Sequence, residues 1–283
     1  MAVSIAIQGA LISGLYALIA VGFTMVYGVG RVENLAHGAY IMVCAYVFYI
    51  VRDLAGLPVG VGFLAAIGTG VGLSLATYKG LVKRFVNNPT AIFISTIILA
   101  LVLQYAVTVI LTPAPRNLLA FIPGITYVLD TRVNKDLLMS MGVSWACLIS
   151  LLIFVRKTHI GRAIRAISED IRGAIVSGID VEKANLITWT WAGALAAVAG
   201  VFFAGYTHLI PGLWVFPLVM AFAIVITGGI GSIEGSIVAA YIIGFSETAM
   251  TMMISEKLRG VFGMAIMIGI LLVRPRGLFG KEM

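Results

Sequence analysis

The sequence predicts an all-α, polytopic integral membrane protein with about 8–9 transmembrane helices and some re-entrant or broken segments. Three observations predict that class. Of the 283 residues, 61% are hydrophobic and only 11% charged, against roughly a quarter charged in a soluble domain. The mean hydropathy is +1.08, and a soluble chain this apolar could not cover its own surface. The apolar residues also fall in blocks near the ~20 residues that carry a helix across a ~30 Å hydrocarbon core.

On that ruler the spans fall near 5–27, 35–51, 58–78, 91–112, 137–155, 184–206, 214–230, 236–254 and 260–273, within one membrane domain covering 1–283. The first stretch reads as a retained span, because Met1 to Gln8 carries none of the positive charge that opens a secretory signal. Cys44 and Cys147 lie inside apolar segments without CxxC or metal spacing. They read as small packing residues, and no disulfide is expected.

A net charge of +7 would suggest nucleic acid in a soluble protein. In a membrane protein it is explained by Lys and Arg kept on the cytoplasmic side, and no nucleic-acid partner is expected. Arg31, the 79–84 loop, the 156–183 loop and the tail after 273 gather thirteen of the 19 basic residues on one side; Arg52, Arg116, Arg132, Lys135, Lys257 and Arg259 remain on the other. The richer side is taken as cytoplasmic, so nine spans put the amino terminus outside and the carboxyl terminus inside.

Helices in lipid associate by close packing of small residues. Gly62, Ala66, Gly70 and Ser74 line one face of the third span, and Ala192, Ala196, Gly200 and Ala204 one face of the sixth. Each column reads as helix–helix contact within the chain, or as a pathway or subunit interface. Residues 113–129 (PAPRNLLAFIPGITYVL) and 207–217 (THLIPGLWVFP) are too proline-rich for regular helix. Irregular backbone survives at membrane depth only when buried in protein or facing a wet cavity. The first is expected as a lid at the outer interface and the second as a re-entrant segment.

Between the fifth and sixth spans, Ile164, Ile167, Ile171, Ile175 and Ile179 recur at three or four residues, the spacing of one helix face. The surrounding Arg165, Glu169, Asp170 and Arg172 have mixed charge, which suits a protein groove better than an anionic membrane surface. Gly178 reads as the helix stop and Asp180 as the cap of the next helix.

The order and spacing of several segments then identify a family. The chain resembles, over essentially its whole length, the membrane subunits of ABC importers for branched-chain amino acids, amides and urea. The resemblance rests on GLYALIAVGFTMVYGV at 14–29, VENLAHGAY at 32–40, GRAIRAISED at 161–170, AIVSGIDV at 174–181, AGALAAVAGVFFA at 192–204, TGGIGSIEGSIVAA at 227–240 and RPRGLFG at 274–280. It implies a permease subunit, not an enzyme, in the inner membrane, paired with itself or a homologous second permease. It further implies two cytoplasmic ATPase subunits that bind ATP and Mg, and an extracytoplasmic solute-binding protein. The 156–183 loop would carry the coupling helix. Arg165, Glu169, Arg172, Gly173, Ala174 and Gly178 are its candidate contacts, with Arg172 standing where the family motif has Glu.

The chain has no GxxxxGK[ST] phosphate loop, HExxH or GxSxG, and His37, His159 and His208 are scattered. Neither catalytic residues, a metal site nor a bound cofactor are therefore expected. Glu247 is the clearest ionisable residue inside a span, a position that costs ~2.5–3.5 kcal/mol on insertion scales unless it faces a cavity or partner. Gln104 reads as a helix–helix hydrogen bond. The motif Gly28-x-Gly30-x-Val32-Glu33 returns as Gly229-x-Gly231-x-Ile233-Glu234, 201 residues later, an arrangement reminiscent of transporter repeats. Glu33, Asn34, His37, Gly38, Gly229, Gly231, Glu234 and Glu247 are thus the candidate path or gate residues. A stand-alone secondary transporter or channel is the alternative, and it would have to couple through Glu247.

Overall fold

A computed structural model describes residues 2–30 and 32–280. Arg31 and Lys281, counted above on the cytoplasmic side, lie outside the described residues, as does the side chain of Lys257. Among the described residues, seven helices are long and apolar enough to cross a membrane. They include α1 (Ala2–Gly30), α3 (Val59–Thr77), α4 (Pro89–Leu111), α5 (Lys135–Lys157), α8 (Val181–Tyr206) and α10 (Ile233–Met253). The seventh is α9 (Val215–Gly228) with the 3-10 turn Pro211–Trp214 before it. Shorter apolar helices are α2 (Ala36–Tyr49), which a π-helical turn extends through Leu54, and α11 (Val261–Val273). The nine helices in these two groups correspond to the nine spans read from the sequence.

Their length has a physical reason. No proline interrupts α1, α3, α8 or α10, and polar residues stop and start the chain at the ends. Asn88 caps α4 by accepting from the amide of Ala91, with Pro89 as its first residue; Asn134, Asp180 and Ser232 cap α5, α8 and α10 the same way.

α1 and α2 are almost wholly buried and form the middle of the bundle with α8 and α9, while α3, α4, α5 and α11 present long apolar faces outward. The core is dominated by Leu15, Tyr16, Phe23, Tyr40, Ile41 and Phe203. The two small-residue columns prove to be contacts within the chain. A Cβ on Gly70 would stand 2.4 Å from the carbonyl oxygen of Gly193, and one on Gly200 would stand 2.1 Å from that of Ile41. The Ser74 hydroxyl donates to the Trp189 carbonyl at 2.7 Å.

The connections fall at two ends. One end holds a small antiparallel hairpin, β1 (Ile125–Val128) and β2 (Thr131–Asn134), the only strands among the described residues. Residues 113–129, expected as a lid at the outer interface, form an irregular strap that ends in β1 of that hairpin. Arg52 donates to the carbonyls of Leu119 and Ala120, and Arg116 pairs through its backbone with Leu209. The opposite end holds α6 (His159–Glu169), α7 (Ile171–Val176), the α9–α10 turn and the tail, where Leu278 and Phe279 donate to the carbonyls of Thr227 and Gly228.

The loop read as one amphipathic helix is therefore two short ones. Asp170 is extended (φ −146°, ψ 108°) and turns its carboxylate onto the amide of Arg172, which ends α6 and caps α7. Gly178 does stop the segment, at φ +77°, and Asp180 does cap α8. The isoleucines separate accordingly. Ile164 and Ile167 pack against Val29 and Ala184, while Ile171 and Ile175 are exposed.

Candidate gate and coupling elements

Three short helices, α2, α9 and α11, start inside the bundle rather than at its surface, and none has a side-chain cap of the ordinary kind. The start of α2 shows the depth. The amide of Leu35 donates to Thr96 Oγ1, seven residues into α4, and His37 lies against Ile19 and Gly22, well short of the end of α1. Residues 32–34 have no regular secondary structure, and helix begins again at Ala36, level with the Ile19–Gly22 turn of α1.

Four unpaired N–H groups open every helix and carry a partial positive charge. At α2 a residue two positions before the helix supplies part of the remedy. Asn34 Oδ1 accepts from the amide of Ala36 at 3.1 Å, and its carbonyl accepts from the amide of His37 at 3.2 Å. Asn34 Nδ2 reaches the hydroxyl of Tyr40 at 3.4 Å, and that hydroxyl donates to Thr77 Oγ1 at 2.7 Å. His37 is fully buried, with Nε2 3.2 Å from the Ile19 carbonyl and Nδ1 without a partner, its ring edge-on to Phe23 and Tyr40.

α9 starts against the same place. Pro211 and Trp214 are buried, Trp214 donates its indole N–H to Gln104 Oε1 at 2.6 Å, and its carbonyl lies where a Cβ on Gly38 would be, 2.4 Å away. Residues 207–210 lie at the hairpin end, with His208 against Asn117 and Leu209 against Arg116, and 211–217 open the membrane-length helix that follows instead of forming the re-entrant segment expected from the sequence; Gln104 makes the helix-linking bond expected of it. Gly38 is explained by this close approach.

The candidate residues form separate groups. Asn34 and His37 come together at the start of α2, with Glu33 half-buried beside them. The repeated glycine motif brings Gly28 and Gly231 into contact, a Cβ on Gly28 meeting the Gly231 Cα at 3.3 Å. Gly229 takes φ +100° under the tail, close to Gly280. Glu234, expected in the path, instead pairs with Arg156 at the exposed bundle end. Such a pair contributes little to stability.

Glu247 lies towards the hairpin end, away from Asn34 and His37. Its Oε2 accepts from the Tyr16 hydroxyl at 2.7 Å, and its Oε1 accepts from the amide of Gly260, the residue that opens α11. A carboxylate from a neighbouring helix therefore caps α11. Arg259 next to it donates to the Tyr206 hydroxyl at 2.7 Å. The sequence singled out Glu247 but missed Tyr16, Tyr40, Thr77, Thr96 and Arg259. A hydroxyl within an apolar span gives no signal by itself, and only the fold supplies its partner.

At the α6 end, Arg165, Glu169, Arg172, Gly173 and Gly178 are exposed. Ala174, expected at the partner surface, is buried against Val29, Ile164 and Ala184. The exposed apolar tip is Ile171, Ile175 and Val176, the last 89% exposed.

A bundle of membrane-length helices, with the starts of the short helices α2 and α9 in contact inside it, defines a polytopic membrane protein. The family described as branched-chain amino acid transport system / permease component matches residues 5–271, and the chain belongs to that family. It is 30% identical to the high-affinity branched-chain amino acid transport system permease protein LivH of Salmonella typhimurium, over 97% of this chain and 94% of that one. It is 31% identical to the probable branched-chain amino acid transport permease protein LivH of Methanocaldococcus jannaschii, over 98% and 92%. The fold is similar to a chain of PsaBC from Streptococcus pneumoniae in complex with Fab, with a TM-score of 0.56 and 18% identity over 95% of this chain and 92% of that chain.

Proposed function

We propose that this chain is the membrane-spanning subunit of an ATP-driven importer for branched-chain amino acids or related small polar solutes. The observation that carries the reading is the α6–α7 projection. Its tip exposes Ile171, Ile175 and Val176, while its base is fixed to the end of α1 through Ile164, Ile167 and Ala174 against Val29. An apolar tip on a firmly held base suits a helix seated in a groove of a soluble partner. That partner is a pair of ATPase subunits, which bind ATP and Mg; this chain performs no bond chemistry and binds no cofactor. The relatives' names support the substrate class.

The α6 end then faces the cytoplasm and the hairpin end faces outside, with the amino terminus outside and the carboxyl terminus inside an inner membrane. A second permease subunit, identical or homologous, completes the path. The segments 113–136 and 207–217 receive a solute-binding protein. Movement of the projection passes through Val29 to α1 and so to the start of α2, where Asn34, His37 and neighbouring Glu33 form the gate. The positive end of α2 favours the carboxylate of a passing amino acid there. Gly28 against Gly231, with Gly229 beside the tail, supplies the glycine contact on which α1 and α10 shift.

Purification from the native membrane in mild detergent tests this. A Walker-motif ATPase is expected to travel with the chain and to be lost from an Ile171→Asp/Ile175→Asp variant that is still inserted and folded. Recovery of the chain alone, still transporting in liposomes without ATP, would falsify the reading.

A further inference from the structure

The hairpin end contains a cavity of about 420 Å³, within the ~300–1,000 Å³ typical of small-molecule sites. We propose that it binds a zwitterionic amino acid with an aliphatic side chain before the solute enters the bundle; the proposal rests on the importer reading above.

The lining matches that chemistry. One wall is apolar: Phe121 and Phe202, with ring centroids 5.4 Å apart, and Leu137. The other carries one cation, Arg132 of β2, and one anion, Asp136 in the first turn of α5, with the carboxamide of Gln8 nearby. Neither Arg132 nor Gln8 makes a side-chain hydrogen bond to a described residue. Asp136 is held rigidly by the amides of Phe121 and Ile122, each donating to one carboxylate oxygen, which leaves further acceptor capacity on both. A balanced pair fits a zwitterion better than a net cation or anion. Arg132 takes the carboxylate in a forked geometry, and Asp136 with Gln8 takes the ammonium.

Tyr206 lines this cavity and also a second void of about 10 Å³, shared with Tyr16, Glu247 and Arg259. Gln8, Ile12 and Tyr16 succeed one another at four-residue spacing along one face of α1, from the cavity to that void. The hydrogen bond from Arg259 fixes the Tyr206 hydroxyl where the two voids adjoin.

Gly205 gives access for a test. It lines the cavity in regular helix, and a Cβ there would meet only the Phe121 ring, at 4.0 Å. A Gly205→Cys variant, in a Cys147→Ala background with Cys44 buried, is labelled with a membrane-impermeant maleimide in membranes lacking any solute-binding protein. Leucine is expected to slow labelling severalfold, lysine and glutamate at the same concentration to leave it unchanged, and Arg132→Gln to abolish the protection. In the transporting complex, Gly205→Phe is expected to raise the KM for leucine about tenfold without loss of the ATPase from the pull-down. No protection by leucine, or an unchanged KM, overturns the site while leaving the importer reading intact. Absence of ATP-dependent amino acid uptake by the unaltered protein overturns the importer reading itself.

Discussion

The hydroxyl of Tyr16 on α1 donates to the carboxylate of Glu247 on α10 at 2.7 Å, while the other oxygen of that carboxylate accepts from the amide of Gly260 at the start of α11. One buried side chain thereby joins α1 to the consecutive helices α10 and α11 more than two hundred residues later. Its position explains how an ionisable group is tolerated inside a span, since it serves as the missing cap of a helix that starts in the bundle.

Removing that carboxylate leaves two buried donors without partners, each costing about 1–3 kcal/mol. Glu247→Ala is therefore expected to lower the midpoint of thermal unfolding in detergent more than Tyr16→Phe does. Glu247→Gln, which still presents an acceptor to Gly260, should fall between the unaltered protein and Glu247→Ala. A Glu247→Ala protein as stable as the unaltered one would refute the capping role.

The two faces of α3 make a second contrast. A Cβ on Gly70 meets the Gly193 carbonyl at 2.4 Å, whereas one on Gly68 meets nothing within 4 Å. Gly70→Ala forces α3 and α8 apart and is expected to cost about 1–3 kcal/mol. Gly68→Ala should be neutral or stabilising by up to ~1 kcal/mol from helix propensity. Unfolding of the two variants in a denaturing detergent series separates them, and equal losses would contradict the packing described for α3.

These cases mark what the sequence could disclose. Nine apolar blocks, the small-residue columns, the Gly178 stop and the Asp180 cap are local patterns, and the structure reproduces them. The break at Asp170 was hidden because the isoleucine spacing continues across it, so periodicity alone predicted one helix. Ala174 is expected at the partner surface because the family resemblance implies it, and only the fold shows it buried against Val29 and Ile164. Glu234, from the repeated glycine motif, and Glu247, from its place inside a span, are both expected in the path. What separates them is depth in the bundle and the donors other helices bring, which a linear sequence does not state.

Asp170 yields a local prediction. Its carboxylate accepts from the Arg172 amide at 2.9 Å, and replacing a capping Asp with Ala costs about 0.5–2 kcal/mol. Asp170→Ala is expected to speed amide hydrogen exchange over 171–176 while leaving α8 and α10 as protected as before. Loss of protection throughout the bundle would mean that the projection is part of the cooperative core rather than a separately capped element.

The start of α2 carries the prediction that bears most on transport. His37 is buried among Phe23, Tyr40 and Gly22, donates a single hydrogen bond from Nε2 to the Ile19 carbonyl, and leaves Nδ1 without a partner. A phenyl ring of similar shape would fill the same space and remove the orphaned nitrogen, so His37→Phe should change stability by no more than about 1 kcal/mol. If the imidazole serves only as packing, uptake by the assembled importer survives the exchange. If it lines the gate, His37→Phe lowers the maximal uptake rate about tenfold or more at unchanged protein level and unchanged ATPase recovery. Tyr40→Phe discriminates further. It removes the hydroxyl that joins Asn34 to Thr77 without touching the ring packing, and a gate built on that cluster should lose rate in both variants. A slowed His37→Phe beside an unaffected Tyr40→Phe would confine the gate to the histidine and separate it from the Asn34 cluster.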